Sequence, residues 1–296
     1  MKLGRLSLLL AVAALLCAPV LQAQDTPAGK KKLAITKISA TDAVGKRMSK
    51  QGVGLSLDSV LEALDSQVYD RVLNTKRFEI LERSDADALA KESAAAGEAF
   101  AFNKADYILT IRVDSFNDRM EERKLASLGK TMRSRTIELS AVAKITEVST
   151  QRAIASTNFK VKKHDSESRS ESTRERVGEG SDELLIQAVS DMAQKIATRA
   201  ADVVSPARVI GKRDKIVTIN RNDQSGIKVG QTWEVFVLGD EMVDPDTGDK
   251  TREEVLVGTV KVSRVTPQNS QAEIVEDTGI DKNAIIRLKA DVEAEE

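Results

Sequence analysis

One cysteine and one histidine are all that 296 residues contain, and aromatic side chains make up only 3% of the chain. The cysteine, Cys17, closes an N-terminal apolar run. If that run is removed, no thiol remains, which excludes disulfides and thiolate metal sites whatever the redox compartment. The histidine, His164, lies in KKHDSESRSESTRER, a polar stretch with no second ligand at metal spacing. Zinc sites and Cys–His or Ser–His nucleophile pairs therefore lack their parts. No glycine-rich loop is followed by Lys and Ser/Thr, so a phosphate cradle is missing as well. Asp240, Glu241, Asp244, Asp246 and Asp249 supply hard oxygens, but Gly248 and the next Glu fall outside the calcium-loop spacing, and a hairpin turn accounts for them. Acids number 46, so chance carboxylate pairs are unavoidable, and nothing singles one out. The expectation is a protein with no catalytic residue, no metal ligand and no cofactor, hence not an enzyme. With so few aromatics, its cores must rest on Val, Ile, Leu and Ala.

What is present begins with an export signal. Lys2 and Arg5 precede an uncharged apolar run from Leu6 to Leu16. Pro19 then breaks the helix, and Leu21-Gln22-Ala23 offers small-residue cleavage spacing after Ala23. The run is about half of the roughly 20 residues a spanning helix needs, so no transmembrane segment is expected in the mature chain. Cys17 leaves a second ending open, as a lipid-accepting residue, although Leu16 stands where a small residue is wanted. Removing Lys2 and Arg5 from the 45 basic residues leaves 43 against 46 acids, a formal net charge of −3. So balanced a chain has no global field to gather nucleic acid.

The remaining length suggests two domains. Residues 24–31 form a polar leader. Alternation of Leu33 and Ile35 with Ala34 and Ile38 predicts a first strand over 33–39, and the glycines of 41–54 predict a loop. Leu57, Val60, Leu61, Leu64, Val68, Val72 and Leu73 share one helical stripe. A short strand follows at 78–82, then a helix capped by Ser84 that runs into the Ala-rich stretch 93–101. Three strands, 107–113, 136–146 and 153–162, each put apolar residues on one face. Asp114, Ser140, Asn158, Lys160 and Lys162 fall on the other. A helix over 182–204, with Ser181 as N-cap and Pro206 as stop, closes this domain at residues 32–204. From 206 to 290 the pattern becomes all-β, with strands at 215–220, 232–238, 254–265 and 271–275 and Trp233 as core anchor. The predicted class is α+β. A three-layer-like mixed sheet packed with two long helices precedes a small SH3-like or OB-like barrel, and an acidic tail, 291–296, ends the chain.

The phrases FEILERSDADALAKE (78–92) and KADYILTIRVDSF (104–116), and the helix from Ser181, resemble the curli-assembly CsgG family and its TolB-N-like relatives. The strand pair 136–148 and 151–161 is similar to that family's hairpin. The phrase SGIKVGQTWEVF (225–236) resembles the C-terminal domain of the flagellar assembly protein FlgT. The first likeness implies a CsgG/TolB-N-like fold and, in the family, a lipid-anchored ring that forms an outer-membrane secretion channel. The two stretches that build the channel fall here at about 117–135 and 160–180. The first holds nine charged residues of nineteen and the second eleven of twenty-one. Arg119, Glu122 and Lys124, with Glu121 and Arg123, place charge on both strand faces, where mid-bilayer Arg or Lys costs about 2–4 kcal/mol each.

That charge predicts a periplasmic, non-enzymatic assembly or secretion accessory, peripheral to the outer membrane, acting through contacts with envelope proteins or with its own copies. Two alternatives stand beside it: an activator of a peptidoglycan synthase, as lipoprotein activators of related fold are, and a true channel subunit. The run 160–180 reads first as a solvated hairpin tip. As a docking surface its cations would be Lys160, Lys162, Lys163, Arg169, Arg174 and Arg176.

Overall fold

The computed structural model describes residues 29–51, 57–81, 105–125, 130–170, 183–246, 248 and 250–289. Several expectations lie outside the described residues: the export segment with Cys17 and Ala23, the leader up to residue 28, the helix from Ser84, Ser181, Arg174, Arg176 and the acidic tail. From Lys31 onward the chain forms one compact unit. Its described part is mixed α and β, with three α-helices and two six-stranded sheets.

The first sheet contains β1 (Lys31–Ile35), β2 (Ser39–Ala40), β3 (Phe78–Leu81), β4 (Tyr107–Leu125), β5 (Lys130–Glu147) and β6 (Ala153–Ser170). The order is β3-β1-β4-β5-β6, with β2 continuing beside β4. β1 runs parallel to both neighbours, whereas β4, β5 and β6 form an antiparallel meander. A central parallel strand is covered on both faces. For that reason Leu33, Ala34 and Ile35 are all buried, where alternation had been expected.

The stretch expected as a loop contains α1 (Asp42–Gln51). Val44 and Met48, one turn apart, are both buried and supply the stripe that its glycine disguised. α2 (Leu57–Asn74) buries Val60, Leu64, Val68 and Val72, while Leu73 faces water. Thr75 closes it, its hydroxyl donating to the Val72 carbonyl at 2.7 Å, and Lys76 follows with a left-handed φ of 58°. α3 (Glu183–Val204) presents Leu184, Leu185, Val189, Met192 and Ile196 with a row of alanines to α2 and to one face of the sheet.

The second sheet contains β7 (Val209–Arg213), β8 (Ile216–Ile219), β9 (Thr232–Val243), β10 (Lys250–Val265), β11 (Ser270–Asp277) and β12 (Ile285–Leu288). All its pairings are antiparallel, in the order β12-β9-β10-β11-β8-β7. Trp233, Val235, Val260, Val262 and Ala272 form a core distinct from that of the first sheet. β7 and β12 were not foreseen, because each is only four or five residues long and shows no apolar–polar alternation. An SH3-like or OB-like barrel was expected; the strands form an open ladder, not a closed barrel, whose ends approach through the Arg208–Ile285 bridge and backbone hydrogen bonds from Val209 to Ala284, Asn283 to Val209 and Ile286 to Ala207. Gly258 is required where β10 bulges, since a Cβ there would collide with the Glu276 carbonyl oxygen. On β11, the hydrogen bond from Lys212, with those from the Ile280 and Gly279 backbone, holds the Asp277 carboxyl at about 2.

A polar seam ties the second core to the helices of the first. Arg221 is 1% exposed and donates to Asp202 Oδ1 at 2.8 Å and to the Ser205 carbonyl at 2.7 Å. Asn222 donates to the carbonyl of Asn74, and Gln194 to that of Gln224. Burial, with Arg221 as a neighbour, lowers the Arg77 guanidinium to about 10, still protonated at neutral pH.

Candidate functional site

The described helices pack on one face of the β4–β6 meander. Leu109, Ile111, Val113, Ile137, Leu139, Ala141 and Val161 point toward them and are buried. Strand alternation sends the intervening residues to the open face. There Arg47, Asp114, Ser115, Glu138, Ser140, Asn158, Lys160 and Lys162, with Leu139 and Val161, line a groove of about 700 Å³.

Its floor is shaped by a bulge between Val113 and Ser115, where Asp114 is the extra residue with no partner on β5. A bulge re-aims a side chain without ending the strand. Asp114 Oδ2 accepts from Asn158 Nδ2 at 3.2 Å, across the intervening strand. Asp114 Oδ1 is buried and has no hydrogen-bond partner. An unmet buried acceptor costs about 1–3 kcal/mol, more when charged. One step along, Glu138 and Lys162 are cross-strand partners with a 3.0 Å ion pair, 47% and 68% exposed. Such a pair adds at most about 1 kcal/mol. Lys160 pairs in register with Ser140, and its ammonium and the Arg47 guanidinium make no ion pair among the described residues. Among the described residues, the groove thus offers two cations that make no ion pair.

Of the six expected docking cations, Lys160, Lys162 and Lys163 have described side chains, and Arg174 and Arg176 lie outside the described residues. Lys160 and Lys162 meet in the groove, but Lys163 points to the opposite face and pairs with Asp191 of α3 at 2.6 Å. The backbone of Arg169 lies opposite Thr131. The run expected to be a solvated tip is strand as far as Ser170, because β4, β5 and β6 all continue beyond the core. His164 is exposed on that extension, its Nδ1 3.0 Å from Thr136 Oγ1. Asp114, Ser140 and Asn158 were legible as outward residues of their strands, but nothing in the sequence linked them to one another. Arg47 was missed because its helix was missed. Among the described residues, no three His, Cys, Asp or Glu side chains converge as a metal site requires. Asp244 instead organises the β9–β10 turn, its Oδ1 accepting from the Asp246 amide at 2.8 Å.

No family model matches this chain, and no curated protein sequence matches it. Among solved structures, it is similar to a hypothetical protein of Chlamydia trachomatis at 8% identity and a TM-score of 0.35, over 60% of this chain and 98% of that one. A minor lipoprotein of Acinetobacter baumannii shares 12% identity at a TM-score of 0.30, over 58% and 90%. The C-terminal domain of LpoB from Salmonella enterica shares 12% at 0.26, over 46% and 86%. At such scores the likenesses transfer neither fold nor function. The resemblance to the curli-assembly family stays with the residues that carry it.

Proposed function

We propose that this protein is a non-enzymatic accessory of the bacterial cell envelope, exported to the periplasm, that docks a partner protein on the open face of its first sheet. The observation that carries the reading is the groove beside the β4–β6 extension, where, among the described residues, Lys160 and Arg47 make no ion pair and Asp114 keeps an unmet oxygen. Export is supported by the N-terminal charge and apolar run ending at Ala23. The absence of a nucleophile–base pair in the sequence supports binding over catalysis.

The extension argues for water over lipid. Arg119, Glu121 and Arg123 occupy one face of β4, Glu122 the other, and all four are exposed. A channel hairpin would need one of those faces to be apolar. The test is capture from envelope extract by the purified protein and by its Lys160→Glu/Lys162→Glu variant, at low and high salt. A partner retained by the parent, released by salt and lost by the variant is the expected result. Capture that ignores both salt and the charge reversal would sink the docking reading.

A further inference from the structure

β6 stands at one end of the first sheet, and among the described residues no strand pairs with its outer edge. A strand edge presents backbone N–H and C=O groups ready to pair with another chain. In an antiparallel ladder, alternate residues turn both groups away from the neighbouring strand. The Lys160 carbonyl accepts from a side chain, Lys195 Nζ of α3, at 3.1 Å, which marks Lys160 as one of the outward set. The register with β5 is unbroken from Ser156 to Lys162, so Ser156, Asn158 and Lys162 turn their groups outward with it. This stretch is firmly seated, because Phe159 and Val161 pack into the core beneath α3.

The charge along the edge is of one sign. From Gln151 to His164 the chain carries Arg152, Lys160, Lys162 and Lys163 and no acid. Lys195 and Arg199 of α3 border the same edge, Arg199 Nε donating to Thr157 Oγ1 at 3.4 Å. Glu138 and Asp191 pair with Lys162 and Lys163, whereas Lys160, Lys195 and Arg199 make no ion pair among the described residues. A second β6 laid along this edge would set one lysine-rich strand against another, and like charges on facing strands repel. An acidic strand gains what a like strand loses. The spacing suits it too: Lys160 and Lys162 share the open face roughly 7 Å apart at about 3.3 Å per residue, the repeat of every second residue in any extended chain.

We infer that β6 receives an extended acidic segment of a partner protein as an added strand, its backbone paired with Ser156, Asn158, Lys160 and Lys162 and its carboxylates set on Lys160 and Lys162. This rests on the docking reading, since Asn158, Lys160 and Lys162 line the groove, and it specifies the form and charge of what docks. The incoming amide takes the place of Lys195 Nζ at the Lys160 carbonyl. Main-chain bonds then supply affinity, and the alternating acids supply selectivity.

The probe is the N-acetylated, C-amidated heptapeptide TEVEVET, titrated into the purified protein by calorimetry and by amide-resolved NMR. TKVKVKT, blocked in the same way, reverses the charge. TEVEVET with each glutamate N-methylated keeps the charge and removes the amides that would pair. Saturable binding of TEVEVET in the millimolar range or tighter is expected, with each control at least about tenfold weaker, and with shifted, slowly exchanging amides at Ser156–Lys162. Lys160→Glu, shown to be folded by its melting curve, should weaken TEVEVET and narrow its margin over TKVKVKT. The two control peptides carry the same contrast on the parent chain if the variant fails to fold. No binding at roughly 10 mM, equal affinity for either control, or amide shifts confined to residues outside β6 overturns the inference. Equal binding of the N-methylated form, with partner capture still lost in Lys160→Glu/Lys162→Glu, would refute strand addition and leave the docking reading standing on charge alone.

Discussion

β4, β5 and β6 live in two environments. Over their inner halves, Leu109, Ile111, Val113, Phe116, Ile137, Leu139 and Val161 sit under α2 and α3, and the other face is polar. Beyond Phe116, β4 runs on for nine residues with β5 and β6 still in register, yet neither face is apolar. The ladder of backbone hydrogen bonds is common to both halves, so it is not what separates them. The inner half is held by desolvation, the outer half by strand pairing and cross-strand ion pairs. A meander without an apolar face is marginal in water, so the outer half inherits its order from the inner.

The strongest way to break this contrast is to cut the anchor at the boundary. Phe116 is 1% exposed, and Phe116→Ala should cost about 3–5 kcal/mol, read as a lowered denaturant midpoint. Hydrogen exchange should then rise along Asn117–Leu125 and along the inner strands together, because the outer half has no independent core. Protection of the outer half that survived the substitution would refute the dependence.

Next in size is the ion pair one step outward. Asp118 accepts from Arg135 at 2.6 and 2.9 Å, with side chains 3% and 14% exposed. Asp118→Ala removes the carboxylate that accepts both of these bonds and should cost about 3 kcal/mol. The double change Asp118→Leu/Arg135→Met should recover most of that loss, since a buried pair offsets its own desolvation only narrowly. A double variant as unstable as the single one would mean that the pair does more than fill its place. Lys163→Ala is a smaller perturbation. Its contact with Asp191 is half exposed and should cost under about 1 kcal/mol, read as a small drop in melting temperature.

The same division explains what could be read from residues alone. In the inner half, apolar and polar residues alternate, so the strands, their buried faces and the outward set Asp114, Ser140, Asn158, Lys160 and Lys162 were all legible. The outer half shows no alternation, because neither face needs to be apolar, and its polar composition reads equally as coil. α1 was hidden by Gly45 and by a stripe only two residues long, Val44 and Met48. β1 was legible as a strand but not as a central one, since parallel pairing with β3 and β4 depends on segments far away in the sequence. The groove is a case of the same kind. Its members come from four segments, and only the register of β4 on β5 and β5 on β6 brings them together.

The smallest expected effect tests the outer half most directly. Arg133 Nε lies 3.2 Å from Glu122 Oε2 across the β4–β5 pair, with the two side chains 49% and 46% exposed. At that exposure the Coulomb gain is nearly cancelled by side-chain entropy and screening, so Arg133→Ala should shift stability by about 0.5 kcal/mol or less. Raising salt from roughly 0.05 to 0.5 M should erase even that, since the Debye length falls below the separations along the strand. Global stability is nevertheless the wrong observable if this half opens on its own. Amide exchange at Met120–Arg123 reports local opening, and there the substitution should raise the rate severalfold at low salt and hardly at all at high salt. Salt-independent acceleration would mean that Arg133 contributes through its aliphatic stem, packed along the strand, and the outer half would then have more apolar support than its sequence suggests.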